Sequence, residues 1–118
     1  MKDILLVDDK LWYAPDLAKS LEFYGRRFNV ITANSGRKAA EMLRTVVIDI
    51  VIVNLAISDA DIFELIEYVK GKLPRVTIVT VRSDEKREAD ELFRSMGVAH
   101  CLEDPLDFMQ VANTILTA

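Results

Sequence analysis

The side chains best placed to do chemistry in this chain each stand at the end of an apolar run. Asp8 and Asp9 follow Ile4-Leu5-Leu6-Val7, Asn54 closes Ile50-Val51-Ile52-Val53, Thr80 ends the run from Val76, and Asp104-Pro105 follows His100-Cys101-Leu102. In an open sheet of parallel strands, ligands and reacting groups collect just beyond the carboxyl ends of the strands. These residues would therefore share one edge. At the centre of that edge stands Asn54, with Asp59 and Asp61 on the segment after it. An amide is neutral and a very poor nucleophile, although it can lend one carbonyl oxygen to a metal.

The elements that must position this set can be read from periodicity. Ile50 to Val53 is an unbroken β-branched run, the pattern of a strand buried on both faces and so of a parallel sheet covered by helices. Ile4–Val7, Phe28–Ala33, Ile48–Asn54, Val76–Val81 and His100–Leu102 are the strand candidates. Between them fall helical spacings: Leu17, Leu21 and Tyr24, closed by Gly25; Ala39, Ala40 and Leu43 behind a Ser35 N-cap; a helix to about Lys72, opened by Asp61 with Glu64; a charged helix to about Met96, capped by Ser83 or Asp84 and ended by Gly97. Asp107 with Gln110 can cap the last helix, whose apolar face is Phe108, Val111, Ala112, Ile115 and Leu116. Strands alternating with helices five times predict an α/β fold, a doubly wound parallel sheet with helices on both faces.

The 118 residues fit one domain, 1–118, and 51% hydrophobic with 29% charged residues is a globular balance. A net charge of −4 argues against general nucleic-acid affinity, which needs a basic surface. The single cysteine, Cys101, allows no internal disulfide, and no apolar run approaches the ~20 residues that span a membrane. Met1-Lys2-Asp3 enters a strand at once, without room for a signal peptide. The expectation is a cytoplasmic domain.

The whole chain resembles the receiver domain of two-component response regulators. The resemblance rests on Leu5-Leu6-Val7-Asp8-Asp9, on the spacing of Leu17, Leu21 and Gly25, and on Ser35-Gly36 with Ala39 and Leu43. Asp49-Ile50-Val51-Ile52-Val53, Thr80, Gly97 and Asp104-Pro105 complete it. It implies a flavodoxin-like five-stranded sheet in the order 2-1-3-4-5. It also implies phosphoryl transfer to an aspartate at the end of strand three. There the acidic pair and the acceptor hold a divalent cation, while a hydroxyl and a lysine receive the phosphoryl oxygens.

The departures from that pattern concentrate in the chemistry. Asp8, Asp9 and the Thr80 hydroxyl are kept. Asn54 stands in place of the acceptor aspartate, Asp104 in place of the lysine, and Val81 in place of a small residue, narrowing access. Ser58 and Ile62 replace the loop's proline and glycine, and Cys101 stands where the switch aromatic is usual. Like charges about 4 Å apart repel by ~1–4 kcal/mol between water and a surface-like dielectric, so Asp104 opposes phosphate directly. The expectation is a pseudo-receiver, not an enzyme, that signals by phosphorylation-independent protein–protein interaction. Its partner would be a histidine kinase, another regulator or a fused output domain, with no nucleic acid or membrane bound. It requires no cofactor, and Mg²⁺ on Asp8, Asp9 and Asn54 would be weak. The alternatives are an active atypical receiver using Asp59 or Asp61, and a small-ligand binder of flavodoxin type, for which a Gly-rich phosphate cradle is missing.

Several features have simpler readings. Asp104 can serve as a cap before Pro105, and Thr80 can satisfy a backbone group. Lys10 and Arg82 flank the site and could pair with Asp8, Asp9 or Asp104. His100, the only histidine, reads as structural or exposed, and Cys101 as a small buried hydrophobe. Glu85 to Arg94 reads as a solvated helix face. The last helix, 106–118, has no lysine or arginine, so reciprocal salt bridges through it lack half their charges. Trp12 and Tyr13, directly after the acidic pair, are the partner-anchor candidates.

Overall fold

The structure is a computed structural model that describes residues 2–10, 13–23, 28–57, 62–83, 88–104 and 106–116. Five strands alternate with five helices: β1 (Lys2–Val7), α1 (Ala14–Phe23), β2 (Phe28–Ala33), α2 (Gly36–Thr45), β3 (Ile50–Asn54), α3 (Ile62–Lys72), β4 (Thr77–Arg82), α4 (Glu88–Ser95), β5 (His100–Glu103) and α5 (Phe108–Leu116). All pairings are parallel, in the order β2-β1-β3-β4-β5. The expected architecture and strand order are therefore present.

Burial follows from the two-residue period of a strand, which sends alternate side chains to opposite faces. Leu5, Val7, Val51, Val53 and Ile78 pack with Ala39, Leu43, Ile66, Val69 and Phe93 under α2, α3 and α4. Ile4, Leu6, Ile50, Ile52, Val79 and Val81 pack with Leu17, Leu21, Val111, Ala112 and Ile115 under α1 and α5. All four apolar residues of β3 are buried, and each such side chain contributes ~1.5–3 kcal/mol relative to exposure. The covered central strand is thus a rigid base for Asn54 at its end.

Local signals also hold. The Ser35 side chain accepts from the Lys38 amide at 3.1 Å, capping α2. Asp107 Oδ1 accepts from the amides of Met109 and Gln110 at 2.9 and 3.4 Å, capping α5. Gly97, at φ +104°, ends α4, and the amides of Gly97 and Val98 turn back to the carbonyls of Arg94 and Phe93 at 3.0 Å each. Tyr24, Gly25, Ser58, Asp61 and Asp84 lie outside the described residues.

The end of β4 moves. β4 continues to Arg82, so Thr80 is inside the strand rather than at its tip. The same alternation puts Val81 with Val79 in the α1/α5 core, where it is buried. Among the described residues, no helix is long and apolar enough to cross a membrane.

Candidate functional site

Strand register brings the polar residues together. Val7 of β1 is level with Val53 of β3, so the next residues, Asp8 and Asn54, fall side by side. Asp8 keeps the ladder one step beyond β1 by donating its amide to the Ala33 carbonyl at 3.1 Å. Across the sheet, the Asp104 amide donates to the Arg82 carbonyl at 2.8 Å, and the Leu55 amide to the Val81 carbonyl at 2.8 Å. Three strand ends therefore hold Asp8, Asn54 and Asp104 by backbone bonds.

The side chains then form one network. Asn54 Nδ2 donates to Asp8 Oδ2 at 3.1 Å and to Asp104 Oδ2 at 3.4 Å. Asn54 Oδ1 accepts from the Ala56 amide at 2.9 Å. Asp8, 3% exposed, accepts from the Lys10 amide on Oδ1 at 3.0 Å and from the Tyr13 hydroxyl on Oδ2 at 2.6 Å. Tyr13 in turn stacks on Phe108, ring centroids 6.4 Å apart. The amide's two N–H groups thus sit between two carboxylates, where their partial positive charge reduces the repulsion of two acids in a poorly solvated place.

The titration behaviour follows from that crowding. Burial raises the Asp104 carboxyl above the usual carboxylate range, the charge of Asp8 raises it further, and the bond from Asn54 pulls it part of the way back. Burial also pushes the Tyr13 hydroxyl far above the usual phenol range, reinforced by its bond to Asp8 and by the charges of Asp8 and Asp104. Tyr13 is a neutral donor throughout the physiological range.

A cavity of about 650 Å³ opens over this network. Asp8, Asp9, Asn54 and Asp104 line it, with Lys10, Tyr13 and Phe108 on its walls. The cavity is acidic where phosphate chemistry needs cations. Thr80, Val81 and Cys101 do not line it. Val81 is level with Asn54 in the β3–β4 register and faces the same α1/α5 layer, where it is buried in the core rather than on the cavity lining. Cys101 is half-buried beside Thr80, and its Sγ lies 3.8 Å from the Asp90 carbonyl. Pro105, Trp12, Asp59 and Asp61 fall outside the described residues.

The ion pairs of Arg82 run to α4 and β5. Arg82 Nε reaches Asp90 Oδ1 and Oδ2 at 3.2 and 3.1 Å, and its Nη1 lies 3.4 Å from Glu103 Oε1. Burial works against the guanidinium charge, but Asp90 and Glu103 outweigh it and hold the Arg82 pKa above its usual value. Asp90 is buried as well, so the expected solvated face of this helix has one inward acid that fastens α4 to β4. Sequence reasoning missed this pair, and it missed Phe108 as the wall on which Tyr13 rests.

A divalent cation fits this donor set poorly. Asp8 Oδ2 already accepts two hydrogen bonds and Oδ1 one, and Asn54 Oδ1 is taken by Ala56. Among the described residues, no group of three His, Cys, Asp or Glu is arranged to hold a metal.

No protein-family model matches the chain. It is 29% identical over 113 residues, 96% of its length, to the transcriptional regulatory protein ZraR of Escherichia coli K12, and 28% identical over 116 residues to that of Klebsiella oxytoca. The chain spans about a quarter of the length of these curated relatives. The fold matches a CheY-like response regulator receiver domain from Methanospirillum hungatei, with a TM-score of 0.86, 19% identity, and coverage of 99% of this chain and 92% of that one. It also matches HP1043, an orphan response regulator of Helicobacter pylori, with a TM-score of 0.84, 14% identity, and coverage of 98% and 94%. The resemblance read from the sequence is borne out: the structural neighbours are receiver domains, and the curated relatives are response regulators.

Proposed function

We propose that this receiver-type domain acts in signal transduction as a binding module, without phosphoryl transfer and without enzymatic activity of its own. One observation carries the reading. Asn54 occupies the position at the end of β3 where the family places its acceptor, and every polar atom of its amide is engaged by neighbours. The amide bridges Asp8 and Asp104, and that bridge exists only because position 54 is uncharged and position 104 is an acid. A phosphoryl group would meet two carboxylates there, with no acceptor carboxylate at position 54 and an anion where the family's lysine would stand. The substitutions at 54 and 104 support each other, which is the mark of a settled arrangement rather than of one lost residue.

Signalling would then pass through surface contacts made in the one conformation the network holds. Mg²⁺ would bind at most weakly, because it must displace the Tyr13 hydroxyl or the Asn54 amide from Asp8. The partner is a protein: a histidine kinase, another regulator or an output domain.

The test is a pull-down from the source cell with this domain as bait, run with and without acetyl phosphate and Mg²⁺. The same partners in the same amounts under both conditions support the reading. A partner retained only after phosphodonor treatment overturns it.

A further inference from the structure

We propose that the opposite edge of the sheet carries a docking groove for a partner segment that combines carboxylates with apolar side chains. The inference rests on the reading of the chain as a protein-binding module but uses a different surface. The groove, of about 450 Å³, runs between the α2–β3 and α3–β4 connections, at the amino ends of β3 and β4. The Asn54 network lies at their carboxyl ends, one strand length away, roughly 15 Å at ~3.3 Å per residue.

Its apolar surface is Val46, Val47 and Pro74, with Val47 81% and Val46 40% exposed. Two adjacent exposed valines are not explained by the core, whose next member is Ile48. β-Branched side chains are stiff about χ1, so little rotamer freedom is lost when a partner covers them. The backbone is held too. The Val46 amide donates to the Met42 carbonyl at 2.8 Å, the Leu73 amide to Val69 at 2.8 Å and the Val76 amide to Leu73 at 3.0 Å. The groove is therefore preformed.

Charge decides the partner. Arg44, Lys72 and Arg75 line the groove, all exposed, and no Asp or Glu lines it. None of the three forms an ion pair among the described residues. Arg44 and Lys72 stand in the last turns of α2 and α3, where cations also favour the helix dipole, but Arg75 lies beyond Pro74 and outside any helix. The acid next along the chain, Asp49, accepts from the Asp3 amide at 2.7 Å. On a chain of net charge −4, three unpaired cations around an apolar floor form a local field opposite in sign to the whole. That pattern favours an acidic segment with apolar anchors over nucleic acid, which would need a broader basic surface.

The probe is a synthetic dodecapeptide in which Leu and Val alternate with Glu and Asp, added to the ¹⁵N-labelled domain without phosphodonor. Two control peptides replace the acids by Lys, or the Leu and Val by Ala. The acidic apolar peptide should shift the amides of Arg44, Val46, Val47 and Arg75, and both controls should bind more weakly. Val47→Asp and Arg75→Glu should each weaken binding by about tenfold, with the thermal midpoint of these exposed-site variants unchanged. Shifts confined to another surface, no shifts at all, or equal binding of the Lys peptide overturn the proposal. So does a concentration-dependent dimer of the domain that Val47→Asp abolishes, since the occupant is then a second copy. A silent groove leaves the outcome at Asn54 untouched, because no phosphodonor is present.

Discussion

Replacing Asn54 by aspartate should destabilise the domain, by an amount that the geometry bounds. Asn54→Asp removes an N–H donor from two carboxylates and puts a carboxylate oxygen at the same place, 3.1 Å from Asp8 Oδ2 and 3.4 Å from Asp104 Oδ2. Loss of hydrogen bonds to charged groups alone costs about 1.5–3 kcal/mol. Repulsion adds to this, but it has a ceiling, because the protein can bind a proton instead. Protonating one carboxyl of ordinary pKa at pH 7 costs about 4 kcal/mol, and the ceiling falls by ~1.4 kcal/mol for each unit of pH. We expect a loss of about 2–4 kcal/mol at pH 7, seen as a fall of about 1–2 M in the urea midpoint. The sign with pH follows from linkage. The introduced carboxyl has its folded-state pKa raised by Asp8 and Asp104, so the penalty is absent below the unfolded pKa and grows as pH rises above it. Mg²⁺ should return part of the stability to the variant and little to the parent, because three carboxylates then face one cation. A variant as stable as the parent at pH 7 without divalent ions would refute the amide bridge.

The other predictions use the same network. Tyr13→Phe should cost about 1–2 kcal/mol in urea unfolding, because a buried hydroxyl-to-carboxylate bond is lost without change of shape. Absorbance titration should show one of the three tyrosines still protonated well above pH 10. With its folded pKa raised, Tyr13 contributes stability that is full below the unfolded phenol pKa and is lost as pH climbs toward the folded value. Asn54→Asp with Asp104→Lys should accept phosphate from acetyl phosphate better than Asn54→Asp alone, while adding Val81→Ala should mainly lower stability, since Val81 is core. Asp90→Ala should lower the melting temperature by leaving Arg82 buried without its main partner, and restoring the pair as Asp90→Glu should recover part of the loss.

The fold was legible because its signals are local or periodic. Ser35, Asp107 and Gly97 act on neighbours within five residues, and the Ile50–Val53 run states its own burial. The positions of Asp8, Asn54 and Asp104 followed from the rule that strand ends share an edge. Their contacts were not legible, because the bond from Asn54 to Asp8 spans 46 residues and that to Asp104 spans 50. Arg82 was placed beside the site on sequence distance, yet strand parity turns it, like Thr80, away from Val81 and toward α4, where Asp90 awaits. Val81 has the parity of Asn54 and shares its face, but its side chain is taken up by the α1/α5 core.

The central claim is that position 54 cannot be phosphorylated and that no other residue takes over. Intact-mass measurement of the domain after incubation with acetyl phosphate and Mg²⁺ addresses it without mutation or partner. The account predicts an unchanged mass. A stoichiometric, acid-labile adduct of one phosphoryl group, wherever it maps, would contradict it.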